Sequence, residues 1–177
     1  MPFALVLLFT FIASTARAQT PRHDQAPQRR ERVTCSIAAA LKFGIPANIM
    51  LAVAEIEGGR PGQRSRNRNG SFDVGPMQFN TRYLEHLEHL YGITAADVAA
   101  AGCYPYELAA WRLRKHLELD AGDPWTRAAN YHSRSPAENG KYRRKLIEKA
   151  AAWARWLAAR FPTYEARIPE WQARHRR

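Results

Sequence analysis

The stretch AEIEGGRPGQRSRNRNGSFDVGPMQFN, residues 54–80, joins an apolar helix pattern to a polar segment whose one acidic residue is Asp73. The helix pattern ends at Glu57 because two glycines follow it, and glycine is the usual signal for a helix end. Asn69-Gly70 is the strongest short signal for a β-hairpin. The stretch therefore predicts a helix that ends at one carboxyl group and a hairpin that carries a second.

The segments on either side are mostly helical as well. Apolar residues recur at helical spacing over residues 33–43, 46–57, 76–91, 104–119 and 135–161. In the last of these helices the predicted buried stripe is Ile147, Ala150, Trp153 and Leu157. TAAD at 94–97 predicts a capping box, and Asp123-Pro124 predicts another helix start. The predicted fold class is mostly α, a single domain over residues 33–162 with one small β-hairpin.

The two ends of the chain differ from this domain. FALVLLFTFIAS followed by ARA at 16–18 indicates a signal peptide over residues 1–18, since the apolar run is shorter than a membrane span. A transmembrane anchor is the alternative. Residues 19–32 are predicted to be a disordered leader, and residues 163–177 a basic tail. We therefore expect a periplasmic or secreted protein with no membrane span after the signal is removed.

Export affects the interpretation of the cysteines and the charge. In an oxidising compartment Cys35 and Cys103, the two cysteines of the chain, are expected to form one disulfide, with two buried thiols as the alternative. The net charge of +11 favours an anionic partner. Nucleic acid is not expected as that partner, because no helix combines Lys and Arg with interleaved aromatic residues in a reading face.

Glu57 has the features of a general acid. It lies at the edge of the buried stripe of its helix, four residues after Val53, whereas Glu55 is predicted to point to the opposite side. Partial burial and the negative end of the helix dipole both raise the pKa of a carboxyl group. A carboxyl that keeps its proton near neutral pH suits acid catalysis. The alternative is a tolerated surface glutamate at a helix end.

Asp73 is the candidate partner of Glu57. If the hairpin turns at Asn69-Gly70, Ser71 and Asp73 share one face of the outgoing strand, while Phe72 packs on the core. A protonated carboxyl across a cleft from an ionised one is the arrangement of a glycosidase. Ordinary turn chemistry is the alternative for Asp73.

Other polar and apolar side chains near these carboxyl groups are candidates for binding a substrate. Side-chain amides suit sugar hydroxyls, and an aromatic hydroxyl can hold a carboxylate by its O–H; helix capping and ordinary core packing are the alternatives. The candidate substrate-binding residues are Ser71, Met77, Gln78, Asn80, Tyr131 and His132. His86 and His89 are three residues apart on one helix, yet without further ligands we interpret them as solvated, and we predict neither a metal nor a cofactor.

These residues resemble a known family. RNRNGSFDVGPMQFNT is similar to the hairpin of c-type lysozymes. IPANIMLAVAEIEGG, GPMQFN and ANYHS together resemble the soluble lytic transglycosylases, above all the branch associated with conjugation and type IV secretion. The resemblance covers roughly residues 33–145 and implies a lysozyme-like domain. It matches Glu57 to the catalytic glutamate and Tyr131 to the tyrosine from a later helix. Two positions depart from the family pattern: Glu-Ser is Glu57-Gly58 here, and Tyr-Asn is Tyr131-His132.

The resemblance also implies a substrate and a reaction. The substrate is peptidoglycan, cleaved between N-acetylmuramic acid and N-acetylglucosamine with Glu57 as general acid and base, which gives 1,6-anhydro ends. The alternatives are a lysozyme-type hydrolase that uses Glu57 and Asp73, and a non-catalytic wall-binding scaffold. Components of a conjugation or type IV secretion apparatus are the implied protein partners.

Overall fold

The computed structural model describes residues 27–161, which form seven helices and a small antiparallel sheet. Both the mostly helical class and the small β element are therefore confirmed. The predicted signal peptide, the first part of the leader and the basic tail lie outside the described residues. In chain order the elements are α1 (Pro27–Phe43), α2 (Ala47–Glu57), β1 (Arg64–Arg66), β2 (Phe72–Val74), β3 (Phe79–Asn80), α3 (Thr81–Tyr91), α4 (Ala95–Ala99), α5 (Tyr104–Leu119), α6 (Pro124–Ala129) and α7 (Pro136–Arg160).

Helix α2 is the centre of the core. Every residue from Ala47 to Ala54 is buried, and the helix packs against both α1 and α7. Its alanines allow neighbouring helices to approach closely, while Leu51 and Val53 fill the space between them. Burial of such a side chain stabilises the fold by about 1.5–3 kcal/mol. The last residue of α2, Glu57, is thereby held at the edge of a rigid core.

The sheet has the order β1-β2-β3, so the predicted hairpin gains a short third strand. The N–H of Asn67 donates to the carbonyl of Ser71 (2.8 Å), which leaves residues 68–70 in the loop. The prediction of a two-residue turn at Asn69-Gly70 is therefore wrong, because the loop also contains Arg68. A three-residue loop that ends on a left-handed glycine is the next most common hairpin connection, and Gly70 has φ 82.

Helix α1 begins earlier than the sequence predicts. Residues 27–32, the last part of the predicted disordered leader, are its first turns. Two of them have partners far along the chain: the N–H of Gly102 donates to the Glu31 carboxylate (2.8 Å), and Arg32 donates to the carbonyl of Gly59 (3.3 Å). The local composition of this segment does not predict a helix. Its contacts with distant parts of the chain stabilise the helical conformation instead.

Two other helices also differ from prediction. Helix α3 begins at Thr81, not near Pro76, because the side chain of Asn80 accepts the N–H of Arg82 and caps the helix there. In α7 Ile147 is 41% exposed, whereas Leu146 is fully buried, so the predicted stripe is wrong by one position there. The Thr94 capping box and the Asp123 cap are both confirmed.

The predicted disulfide between Cys35 and Cys103 is present. It joins α1 to the residue that precedes α5, and the two cysteines are 68 residues apart in sequence. Closing a loop of that length in the unfolded chain stabilises the fold by about 4 kcal/mol in the chain-entropy model.

Candidate active site

Glu57 is the last residue of α2 and is partly buried. Burial raises the pKa of Glu57 from 4.5 to about 7, against the opposing effects of a hydrogen bond from Tyr142 and the positive charge of Arg112. The predicted direction of the shift is confirmed. Gly58 follows in the left-handed region, with φ 60, and its N–H donates to the carbonyl of Ala54 (3.2 Å). A residue with a Cβ would be strained in this conformation, which glycine adopts readily.

The second glycine, Gly59, brings the helix end into contact with the turn after β2. Its N–H donates to the carbonyl of Pro76 (3.2 Å). A Cβ on Gly59 would lie 2.2 Å from the carbonyl oxygen of Gly75 and 2.6 Å from Nε2 of Gln78. The backbones therefore meet at a distance that only glycine permits, and the position of Glu57 relative to the sheet is fixed.

Asp73 lies on the second strand of the hairpin. Asn80 donates from Nδ2 to Oδ1 of Asp73 (2.8 Å) and to the hydroxyl of Ser71 (2.9 Å), so both side chains are held on one face of the sheet. The negative charge of Asp73 adds to the effect of burial and raises the pKa of Glu57 further. The charge of Asp73 therefore acts on Glu57, although it contributes less than burial, the Tyr142 hydrogen bond and the Arg112 charge.

The tyrosine that holds Glu57 is Tyr142 of α7. Its hydroxyl donates to Oε1 of Glu57 (2.7 Å). Tyr131, which the sequence suggested for holding a carboxylate, donates instead to the backbone carbonyl of Met77 (3.1 Å). The ring of His132 stacks on that of Tyr142, with centroids 4.9 Å apart and planes 4° apart. Tyr142 therefore donates the hydrogen bond to Glu57, whereas the predicted residues Tyr131 and His132 lie beside it.

A periodicity signal could have identified Tyr142. The buried residues of α7 form one stripe at helical spacing. Tyr142 belongs to that stripe, one turn before Leu146, so its side chain had to point toward α2. Sequence reasoning began the stripe too late and therefore missed the residue.

Arg112 of α5 is a second functional candidate that sequence reasoning missed. Its guanidinium lies over the ring of Tyr83 (4.3 Å to the centroid) and the ring of Tyr131 (4.7 Å). Its charge opposes the effect of burial on the pKa of Glu57. Its position, four residues after buried Leu108, is the sequence signal that places it on the inner side of α5.

The remaining predicted residues mainly support the hairpin. Met77 is fully buried, which leaves its side chain inaccessible to a substrate. Gln78 has φ 50 and donates from Nε2 to the carbonyl of Gly75 (2.8 Å). Ser71 is buried and bonded to Asn69 and Asn80. Substrate contacts by Ser71, Gln78, Asn80, Tyr131 and His132 stay predictions.

Glu55 differs from its predicted exposure. Its side chain is only 17% exposed, and its two oxygens accept from Lys149 (2.9 Å) and the indole N–H of Trp153 (2.7 Å). Helix α7 covers this side of α2, so both sides of the helix are buried. Glu55 therefore stabilises the pairing of α2 with α7 as a carboxylate with two donors.

Two further properties concern the described part of the chain. His86 and His89 are exposed, and residues 27–161 contain no group of three or more His, Cys, Asp or Glu side chains placed to hold a metal ion. Among the same residues, the helices are too short or too polar to cross a membrane.

Comparison with known proteins gives a distant similarity. No protein-family model matches the chain. The chain is 25% identical over 116 residues to the "Invasion protein IagB" of Salmonella typhimurium and of Salmonella typhi. The aligned region covers 65% of this chain and 71% of each relative.

Proposed function

We propose that this chain is a lytic transglycosylase that cleaves peptidoglycan between N-acetylmuramic acid and N-acetylglucosamine. The observation that carries the proposal is the state of Glu57, a partly buried carboxyl with a pKa of about 7 that is held by the Tyr142 hydroxyl. A group with that pKa is populated in both protonation states at neutral pH, so it can serve as an acid and then as a base.

The reaction proceeds in two steps. Protonated Glu57 donates its proton to the glycosidic oxygen, and the bond from that oxygen to the muramoyl C1 breaks. The C6 hydroxyl of the same sugar then bonds to C1 and gives its proton to the Glu57 carboxylate, which regenerates the acid. The product has a 1,6-anhydro end, and no water is consumed.

Asp73 stabilises the positive charge that develops at C1 in this reaction. Its carboxylate is held by Asn80 and needs no reorganisation when the charge appears. The same feature favours a second candidate, a lysozyme-type hydrolase in which Asp73 stabilises or attacks C1 and water completes the reaction. The two candidates differ in the chemical end that the glycan product carries.

The biological setting is also a proposal. The disulfide is compatible with an exported protein in the periplasm or outside the cell. The distant similarity to a protein named for invasion is the comparison that supports this setting. We infer that the chain opens the wall locally for a transfer or secretion apparatus.

The test is mass spectrometry of the muropeptides that the protein releases from purified peptidoglycan, with Glu57→Gln beside it. We expect anhydro ends, reduced by about 10²–10⁴-fold in the variant, which is the usual contribution of a general acid. Glu55→Gln is the matched control, since it makes the same change two residues away on the same helix, at a carboxylate bonded to α7.

The outcomes separate the candidates. Reducing ends that disappear in Glu57→Gln would show the hydrolase and make Asp73 a catalytic partner. Equal release by the protein and by Glu57→Gln would refute an enzymatic role for this site.

A further inference from the structure

The edge of the sheet carries three arginines that the proposed reaction does not use. Arg64 and Arg66 lie on β1, and Arg68 lies in the loop that follows it. All three are exposed, and none forms an ion pair with a carboxylate of residues 27–161. We call these three residues the hairpin arginines. Their positive charge is therefore available to a partner.

The register of the sheet places two hairpin arginines away from Asp73. Ser65 pairs with Asp73, whereas Arg64 pairs with Val74 and Arg66 with Phe72. Side chains of directly paired residues share a face, so Arg64 and Arg66 lie on the face opposite Asp73. They therefore point away from Asp73, although each is only one residue along β1 from Ser65, which pairs with Asp73.

One of the hairpin arginines, Arg64, is partly ordered by a contact within the fold. The guanidinium of Arg64 lies 5.0 Å from the centroid of the Phe72 ring, which restricts its motion. Asp73 is the only acidic residue between positions 58 and 84, so this segment itself supplies no carboxylate on the arginine face. A guanidinium in such a setting suits a carboxylate or phosphate from outside.

We propose that the hairpin arginines bind carboxylates on the peptide stems of the wall polymer, outside the cleft. This inference rests on the proposed function, because a glycan held near Asp73 carries its stems close to the sheet. An extended peptide spans about 3.3–3.6 Å per residue, so a stem of a few residues can pass around the edge strand to its other face. The binding surface would favour stems that are rich in free carboxylates.

The experiment measures binding separately from catalysis. All proteins carry Glu57→Gln, so the polymer stays intact, and binding is measured by co-sedimentation with purified peptidoglycan at low and high salt. The test variant also carries Arg64→Gln, Arg66→Gln and Arg68→Gln. The control carries Arg30→Gln, Arg144→Gln and Arg155→Gln, which remove the same charge from exposed positions on α1 and α7.

We expect the test variant to bind peptidoglycan about tenfold more weakly than the control, since each exposed ion pair contributes modestly. The difference should shrink at high salt and vanish on glycan strands whose stems have been removed by an amidase. Equal losses in the two variants would overturn the proposal in favour of a diffuse charge effect.

Other results would overturn it in other ways. Unchanged wall binding together with self-association of the test variant would show that the arginines only protect the edge strand from pairing. Weaker binding to DNA or to anionic vesicles, with unchanged wall binding, would indicate a different polyanion. The proposed function is tested separately. The measurement is whether the chain with Glu57 intact cleaves glycan strands that lack peptide stems.

Discussion

At the scale of single residues, the environment of Glu57 is set by opposing effects. Burial raises its pKa most, while the Tyr142 hydroxyl and the Arg112 charge lower it. The result of about 7 lies near neutral pH, where a group that must both give and accept a proton is most effective. Burial of His132 lowers the pKa of its imidazole, so the ring stacked on Tyr142 is neutral at that pH.

Removal of the Tyr142 hydroxyl is expected to change the pH dependence of turnover. In Tyr142→Phe the bond that favours ionised Glu57 is lost, so the pKa of Glu57 rises and the alkaline limb of the kcat/KM profile moves to higher pH. We also expect kcat to fall by about tenfold, because the carboxylate loses a charge-assisted hydrogen bond. The measurement is the rate of muropeptide release across the pH range.

Tyr131→Phe provides the control for this experiment, because the Tyr131 hydroxyl bonds the Met77 carbonyl and not Glu57. Its alkaline limb should stay where it is in the unmodified protein. An unmoved limb in Tyr142→Phe would contradict the assigned role of the hydroxyl.

At the scale of elements, the end of α2 and the turn after β2 form one joint. Gly59 meets Gly75, and a Cβ on Gly75 would in turn lie 2.0 Å from the carbonyl oxygen of Val98 in α4. Three elements are thus packed backbone to backbone at two glycines. Because the closest approach at each glycine is to a backbone carbonyl oxygen, which cannot rotate away as a side chain can, we infer that the joint is rigid and that the positions of Glu57 and Asp73 depend on it.

Gly59→Ala is expected to disturb that joint. The added methyl group would collide with the backbone of Gly75, and relieving such overpacking typically costs about 1–3 kcal/mol. We expect a lower free energy of unfolding in urea and a loss of turnover larger than the loss of stability explains. The second effect is expected because Glu57 moves with the helix end.

Gly140→Ala is the matched control, since Gly140 lies within α7 and the nearest atom to an added Cβ is 4.0 Å away. Alanine in a helix is favoured over glycine by up to about 1 kcal/mol, so this variant should be slightly more stable. Full turnover and unchanged stability in Gly59→Ala would show that the joint is not rigid.

At the scale of the whole molecule, Glu57 links the site to global stability. Its pKa is about 7 in the folded state and 4.5 ordinarily, so the folded state binds more protons than the unfolded state between those values. The contribution of Glu57 to the free energy of unfolding therefore falls as pH rises through this range. The raised pKa corresponds to a loss of up to about 3 kcal/mol.

Glu57→Gln is expected to remove this pH dependence. At pH 8 the variant should be more stable than the unmodified protein by up to about 3 kcal/mol, and at pH 4 the two should be nearly equal. Urea unfolding at both pH values measures the difference, with Glu55→Gln as a variant that should lose some stability instead, because the charge that accepts from Lys149 and Trp153 is removed. A constant difference between Glu57→Gln and the unmodified protein at the two pH values would contradict the linkage.

The sequence by itself determined the features that depend on near neighbours. The end of α2 at Glu57, the capping box at Thr94 and the start of α6 after Asp123 were all predictable, because caps involve residues within about four positions. The disulfide was predictable once export was inferred, because the chain has two cysteines. The alternation of β2 was also local, so Phe72 and Asp73 were placed on opposite faces correctly.

Only the tertiary structure decided which side chains surround Glu57. Tyr142 is 85 residues away in sequence, and its hydroxyl reaches Glu57 because α7 packs across α2. The same packing pairs Glu55 with Lys149 and Trp153, although helical periodicity placed Glu55 in solvent. Local pattern fixes which way a side chain leaves its own helix, whereas the groups that it meets depend on how distant helices pack, and that is a property of the whole fold.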